Sequence, residues 1–492
     1  MQPTVAFRTL GCKLNQCETA QMEHALDQRG YRVVEWDSPA TVRVLNTCTV
    51  TAKADAECRR EIRRMKRADP SCRVAVTGCY AQVSPDKVAA LDEVDLVLGN
   101  LDKSSLPRHL DDLLRRSTAG PVDDPVLARA EALQETPGGT QPDDFEGDFI
   151  THFSGYSRAF LKVQNGCDAG CSYCIIPTAR GRSQSMRLND VLTQVRLLGR
   201  AGYREVALTG IHLGMWGRDT GEGDLADLLA ALADVDEVAR FRLSSTEPME
   251  VDDRVLAVMA AAEQRFAEHF HLPLQSGSDT VLRRMNRPYR TADYADRLHA
   301  IRERFPDAAI GADVIVGFPG ETDDEFAQTV VFVAGLPLTY LHVFAYSDRP
   351  GTRASAMRSK VIPETISARS ADLRALGARK NDEFQAGFAG RVLRALVLHQ
   401  RADDGRLVSL TGNYMEVLVD ESGGQGPENR GGNSRHASAP PPLANRFVDL
   451  RLTERRPDGR WEGVVTRIVP WDGPDPADTT SADLAPSADL AR

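Results

Sequence analysis

Short apolar runs alternate with longer amphipathic stretches over residues 4–100. Val5 to Leu10, Tyr31 to Glu35, Val42 to Asn46, Arg73 to Thr77 and Val94 to Leu98 read as strands. Asn15–Arg29 and Ala52–Ala68 read as helices, the second so basic that most of its surface must face solvent. This alternation predicts a doubly wound parallel sheet with helices on both faces. It resumes between Gly155 and about Phe384, with strands at Phe160–Gln164, Glu205–Leu208, Phe241–Ser244, Phe270–Leu274, Ile310–Val316 and Tyr340–Phe344. Six such units predict a partial (βα)6 barrel with functional residues at the carboxyl ends of its strands. From about Ala386 to Pro470 the pattern changes to β-branched runs: Val392–His399, Leu407–Leu410, Met415–Val419, Phe447–Leu452 and Trp461–Val469. Turn residues separate them, as expected for a small antiparallel β-barrel. The fold class expected is α/β, with the small β-barrel at the C-terminal end.

A chain of 492 residues suggests about three domains. The boundaries expected are 3–115 for the first domain, 116–153 for an acidic linker, 154–384 for the central barrel and 386–470 for the small one. The Gly/Pro/Ser/Asn-rich stretch 421–442 inside the last, and the acidic tail 471–492, are expected to be disordered.

Apolar content of 42% with charged content of 26% is that of a soluble globular protein. No apolar run approaches the roughly 20 residues that span a bilayer, and the start MQPTVAFRTLGC lacks the basic-then-apolar order of a secretory leader. A cytoplasmic protein with no membrane partner is expected. The nine cysteines are an odd number and too sparse for a disulfide scaffold. A net charge of −10 argues against indiscriminate nucleic-acid binding, although 385–470 carries 12 Arg against 10 acids and leaves room for a local basic face.

Cysteine placement carries the chemistry. Cys167, Cys171 and Cys174 stand in C-x3-C-x2-C spacing just beyond a strand. Three thiolates so close can grip one face of an iron–sulfur cube and leave its fourth iron to a small molecule. The amino and carboxylate groups of S-adenosylmethionine (SAM) suit that iron, and the spacing resembles that of the radical SAM superfamily. A zinc knuckle would need a fourth ligand close by, and the nearest histidine, His152, lies before the strand. Three buried structural cysteines is the remaining alternative. Cys12, Cys48 and Cys79 each lie one or two residues beyond a strand, so an open parallel sheet could bring them together in the crevice at its carboxyl edge as a second metal site. Small cysteines also pack at strand ends without chemistry. Cys17 and Cys58 fall within predicted helices and Cys72 before a strand, with no role implied.

Taken together, TLGCKLNQCETAQM, NTCTVTAKAD, AVTGCYAQ and VQNGCDAGCSYCIIPTARGRSQS resemble the methylthiotransferases. That family joins an N-terminal cluster-binding domain, a radical SAM domain and a small RNA-binding barrel called TRAM. The resemblance covers about residues 3–470. It implies two [4Fe-4S] clusters, an auxiliary one on Cys12, Cys48 and Cys79 and a SAM-binding one on Cys167, Cys171 and Cys174. It also implies SAM as source of both radical and methyl group, the auxiliary cluster as route for sulfur, a tRNA anticodon stem-loop as substrate, and an electron donor such as flavodoxin or ferredoxin. TGIHLGMWG, RLSSTEP, HLPLQSGSDTVLRRMNRPY and HVFAYSDRPGTRA look like the branch acting on C2 of N6-threonylcarbamoyladenosine at tRNA position 37. The alternatives are the branch acting on N6-isopentenyladenosine and a non-catalytic iron–sulfur RNA-binding protein. Thr178, Cys17 and the 421–442 insertion depart from the family pattern.

Around the SAM site, Tyr173 is a candidate to pack on the adenine, Gly210 to let backbone approach the methionyl group, Ser244 and Gln275 to bond ribose or carboxylate, and Gly317 to line a glycine loop. Each also has an ordinary packing, turn or polar role. Glu321 is a candidate for the same loop as well as an ordinary helix-start acid, and His212, His269 and His271 are candidate ligands or proton handlers whose expected role is a satisfied polar or packing one. Candidate phosphate contacts are Arg180, Arg182, Arg187, the run Arg283 to Arg290, Arg391 and Arg394. Tyr414 and Trp461 could stack bases, against the usual role of a barrel aromatic in a core.

Overall fold

The computed structural model describes residues 2–116, 145, 149–153, 155–262, 264–421, 443–471 and 473. Most of the expected linker, nearly all of the 421–442 insertion and nearly all of the tail lie outside the described residues.

Five strands, β1 (Thr4–Thr9), β2 (Arg32–Val33), β3 (Val42–Thr47), β4 (Arg73–Gly78) and β5 (Leu96–Val97), form a parallel sheet in the order β2-β1-β3-β4-β5. Alternate side chains feed two cores. Val42, Val44 and Ala75 pack with Met22, Leu26 and Leu110, whereas Leu45, Val74 and Val76 pack with Cys58, Ile62 and Met65. The doubly wound expectation therefore holds. In the helix Ala52–Ala68, Cys58, Ile62 and Met65 make the one buried stripe, and most of its basic residues face outward as its composition predicts. The winding direction reverses between β1 and β3, so the crevice lies outside their carboxyl ends.

The central region holds β6 (Ala159–Lys162), the short antiparallel pair β7 (Gln164–Asn165) and β8 (Gln184–Ser185), then β9 (Glu205–Thr209), β10 (Arg240–Leu243), β11 (His269–His271), β12 (Ala309–Val316) and β13 (Tyr340–Ala345). The six long-range strands run parallel in chain order, but as two three-stranded sheets, β6-β9-β10 and β11-β12-β13. An isolated parallel bridge between Phe241 and Phe266 carries the arc from one half to the other. The helix Pro363–Ala386 lies along β13 and leads into the last domain.

There β14 (Val392–Arg401), β15 (Leu407–Thr411), β16 (Glu416–Val419), β17 (Phe447–Arg455) and β18 (Trp461–Ile468) close a barrel in the order β14-β15-β16-β18-β17. One pairing corrects the antiparallel expectation: β16 and β18 run parallel. The cause is parity, since five strands cannot alternate in direction all the way around a closed ring.

Candidate metal centres and the shared cavity

Gly166, at φ +68°, turns the chain from β7 into the first cysteine loop, and a Cβ there would meet the Arg182 carbonyl oxygen at 1.8 Å. The loop is pinned from outside. Ser172 donates its N–H to the Met285 carbonyl at 2.9 Å, and Asn286 Nδ2 donates to the Gly170 carbonyl at 2.8 Å. Donors converge on two of the sulfurs. The Ala169 N–H lies 3.3 Å and His212 Nδ1 3.4 Å from Cys167 Sγ, and Arg287 Nη1 donates to Cys171 Sγ at 3.2 Å. Arg287 also pairs with Glu247. His212 Nε2 stands 2.7 Å from Glu250. Burial alone would push His212 down, but Cys167 and Glu250 bring it up to about 10. Burial pushes the Cys174 thiol up to about 12. Hydrogen-bond donors aimed at half-buried sulfurs suit thiolates bound to a metal.

The second triad forms where the topology places the crevice. Cys12 caps the helix Lys13–Asp27, Cys48 follows β3, and Cys79 opens the helix Cys79–Val83 directly after β4. A Cβ on Gly11 would lie 2.7 Å from Cys48 Cβ and 3.0 Å from its sulfur, so the first two loops touch. Gly78, at φ +99°, has no room for a side chain against the Thr47 backbone at 2.5 Å. Arg349 holds the Cys48 loop from the central domain, donating to Thr49 Oγ1 at 2.6 Å and to Asp55 at 2.8 Å. Burial pushes Cys48 up to about 11. Among the described residues, neither cysteine triad draws all its sulfurs within 4.8 Å. Tetrahedral zinc would need sulfurs about 3.8 Å apart, whereas a cube holds its thiolates at separate corners. Both triads fit a cluster better than a single ion. Cys17, Cys58 and Cys72 are buried in the apolar cores, where burial pushes the first two up to about 11 and about 12. They are packing residues.

One buried network ties the triads together. The helix Ile176–Arg180 follows Cys174 and ends at Arg180, which is 1% exposed. Arg180 donates to Glu18 at 2.7 and 3.2 Å, to Asn15 Oδ1 at 2.6 Å and to Asn165 Oδ1 at 3.1 Å. Lys103 also pairs with Glu18, and Lys162 stands 4.0 Å from it. Asn100 Nδ2 donates to the Ala179 carbonyl at 2.6 Å and lies 3.5 Å from Cys79 Sγ. The expectation that Arg180 meets RNA phosphate is therefore wrong, because its charge is spent inside the protein.

Beside the second triad opens a cavity of about 1010 Å³. Cys12 and Cys48 line it from the N-terminal domain, Gly210 and Ser244 from the strand ends of the central domain, and Asn413 and Tyr414 from the small barrel. Ser244 Oγ is buried with no hydrogen-bond partner among the described residues, which leaves it for a ligand. Gly210 is needed because a Cβ would lie 2.9 Å from Gln164 Oε1, the acceptor of the His212 N–H. Tyr173 packs beside the first triad against Val281, Met285 and Phe318. Gln275, at φ +70°, bridges to β12 through its backbone. Gly317 serves packing: a Cβ would strike Ile366 at 2.3 Å, and its N–H bonds Glu321, itself held by Arg369.

The arginine run divides. Arg283 and Arg290 are exposed, whereas Arg284 pairs with Glu325 and Arg287 faces Cys171. Arg182 and Arg187 are exposed, Arg391 pairs with Asp307, and Arg394 pairs with Asp449. Trp461 is buried in the barrel core, but Tyr414 faces the cavity. The histidines have partners that sequence spacing concealed. His212 has Glu250, His269 bonds Tyr340, and His271 with His342 flanks Asp313, holding its carboxyl at about 2 against the effect of burial. Lys13, Glu18, Asn100, Arg158 and Glu250 were not singled out from the sequence, and Arg287 was expected only as a phosphate contact. Lys13 alone carried a signal, standing next to Cys12.

Residues 4–99 match the uncharacterized protein family UPF0004, and residues 161–333 match the radical SAM superfamily. The threonylcarbamoyladenosine tRNA methylthiotransferase MtaB of Aquifex aeolicus is 40% identical over 84% of this chain and 96% of its own. The same-named protein of Bacillus subtilis is 37% identical over 84% and 90%. The tRNA-2-methylthio-N(6)-dimethylallyladenosine synthase of Frankia casuarinae is 34% identical over 94% and 84%. In fold the chain is similar to the radical S-adenosylmethionine methyltransferase TsrM of Kitasatospora setae, with a TM-score of 0.54 and 17% identity over 72% of this chain and 77% of that one. Radical SAM membership brings one [4Fe-4S] cluster and SAM. No helix among the described residues is long and apolar enough to cross a membrane. With the cysteine-bearing strand ends, the six-stranded arc and this identity over most of its length, the chain belongs to the radical SAM methylthiotransferases.

Proposed function

We propose that the protein methylthiolates C2 of N6-threonylcarbamoyladenosine at position 37 of tRNA. One observation carries the reading: cysteines of the N-terminal triad and strand ends of the central domain open on a single cavity whose remaining wall is the small barrel. The names of two relatives, 40% and 37% identical over 84% of this chain, support the substrate. Cys167, Cys171 and Cys174 would hold the SAM-binding cluster, and Cys12, Cys48 and Cys79 a second, auxiliary one. When bound, these groups supply SAM cleavage, sulfur and methyl chemistry at an aromatic C–H that side-chain acids and bases cannot activate.

The chain's own residues bind, orient and exclude water. Arg287 and His212 neutralise charge on the first triad. Ser244 offers a hydroxyl to SAM or nucleoside, while Tyr173 closes the far side of the loop. Arg180 and Glu18 fix the distance between the triads. The small barrel acts as the RNA-binding TRAM domain and holds the anticodon stem-loop, and exposed Arg182, Arg187, Arg283 and Arg290 supply phosphate contacts. A flavodoxin or ferredoxin in the cytoplasm would supply electrons.

The test is anaerobic incubation of reconstituted protein with reductant, SAM and anticodon stem-loops carrying either modified adenosine, read by nucleoside mass spectrometry. The expected product is 2-methylthio-N6-threonylcarbamoyladenosine. Product from the isopentenyl RNA alone would assign the other branch, and SAM cleavage without either product would overturn methylthiolation.

A further inference from the structure

Arg158, on the cavity wall, belongs to a buried cluster that carries more positive charge than its one carboxylate neutralises. Glu205, on β9, is fully buried, and three guanidiniums share it: Arg158 at 3.2 Å, Arg242 at 3.0 Å, and Arg240. Two of these also serve the fold. Arg240 donates to the Leu410 carbonyl at 3.0 Å, and Arg242 donates to the carbonyls of Thr411 at 3.0 Å and Gly412 at 2.8 Å, locking the small barrel to the central domain. Arg158 has no such backbone duty and lines the cavity. Lys13 lines the same cavity. Its ammonium is 5.9 Å from the centre of the Tyr414 ring, and the Arg158 guanidinium is 5.8 Å from the same ring.

Lys13 has no hydrogen-bond or ion-pair partner among the described residues, and it lines the same cavity beside Cys12. Lys13 and the three guanidiniums set four cations against one carboxylate, an excess of three positive charges, and Lys13 and Arg158 are the two of them that reach the cavity. Lysine is also a poor choice at the first turn of a helix, where the dipole favours an acid, and the first turn of Lys13–Asp27 has none. Such a conflict with local preference is expected where function demands it. The field is felt nearby. Burial, Arg242 and Lys13 together push His269 well below its ordinary value, and Lys13, Arg158 and Arg242 lower the Tyr414 phenol although burial would raise it.

We propose that Lys13 and Arg158, both beside the Tyr414 ring on the cavity wall, form a carboxylate-binding subsite that takes the anionic end of the adenosine N6 substituent. This rests on the tRNA reading above and specifies the ligand class: an N6-linked amino acid with a free carboxylate. An apolar N6 substituent would leave the excess charge desolvated and unpaired, and such mismatches discriminate strongly between substrates. The position of the lysine beside Cys12 fits this role: the substituent and C2 belong to the same nucleoside, so its anchor and the auxiliary centre must open on one cavity.

The test uses the full-length reconstituted enzyme and three anticodon stem-loops that differ at one nucleoside: threonylcarbamoyladenosine, its carboxyl methyl ester, and isopentenyladenosine. Both kcat/KM and binding by fluorescence anisotropy are read. Wild type is expected to lose about ten- to hundredfold in both from acid to ester, the scale of one charge-assisted hydrogen bond. Lys13→Met and Arg158→Met should lose a similar factor on the acid, mainly through KM, and should no longer distinguish acid from ester. Iron content and circular dichroism establish that each variant is folded, and the ester comparison on wild type needs no variant. Equal use of acid and ester by wild type overturns the subsite while leaving the proposed function standing. So does a variant that loses equally on both RNAs. Preference for the isopentenyl RNA over both overturns the proposed function itself.

Discussion

Arg180 reaches across the domain boundary to grip Glu18, with Nη1 2.7 Å from Oε1 and Nη2 3.2 Å from Oε2. Glu18 belongs to the helix that Cys12 caps, and Arg180 ends the helix that follows Cys174. The pair therefore sets where one cysteine triad sits relative to the other. Glu18→Gln removes the anion and leaves Arg180 and Lys103 buried without it. Breaking a buried pair in this way costs about 3–5 kcal/mol. Denaturant unfolding of the variant should register that loss, and product formation should fall while iron content is retained. An unchanged unfolding midpoint would contradict the interdomain role.

The same carboxylate makes the interface sensitive to acid. Burial alone would raise Glu18, but Arg180, Lys103 and Lys162 hold it well below the usual carboxylate range. A carboxyl lowered in the folded state contributes stability that is fully present above its unfolded value, about 4.3, and is lost as pH falls toward the folded value. The stability gap between wild type and Glu18→Gln should be constant from pH 8 to about pH 5 and narrow below about pH 4. Equilibrium unfolding at a series of pH values measures it. A gap that widened in acid would reverse the assigned sign.

Removing a ligand from either triad should separate the two halves of the chemistry. Cys171→Ala should abolish reductive SAM cleavage and lower iron from about eight to about four per chain, the content of one cube. Cys79→Ala should lose a similar amount of iron yet still form 5′-deoxyadenosine, without methylthio product. Iron analysis and chromatography of the reaction mixture distinguish the cases. SAM cleavage by the Cys171 variant would refute the assignment of that triad.

Arg287 presents a positive charge 3.2 Å from Cys171 Sγ. Such a charge favours the more negative, reduced form of a cluster held there, so Arg287→Met should lower the midpoint potential. A tenfold change in the one-electron equilibrium corresponds to about 59 mV, and a shift on that order is expected. Spectroscopic redox titration reads it directly. A potential that stayed in place would show that Arg287 serves only to hold Glu247.

Much was legible before any coordinates. The two cysteine triads stand at strand ends, and strand ends follow from short continuous apolar runs; both signals are local. The doubly wound sheet, the six-stranded arc and the five strands of the last domain follow from the same kind of run. What the chain order could not convey was pairing across distance. The parallel β16–β18 contact comes from ring closure, which no single strand encodes. Arg180 and Arg287 looked like RNA contacts because a charge run reads the same whether it faces solvent or a buried carboxylate. Their partners Glu18 and Glu247 lie 162 and 40 residues away. The cationic cluster around Glu205 likewise joins Lys13, Arg158 and Arg242 from separate parts of the chain. Sequence determined which chemistry this protein carries, because ligands and strands are written locally. Only the tertiary structure decided which charges are spent inside and which remain for a substrate, because electrostatic balance is settled by what burial brings together.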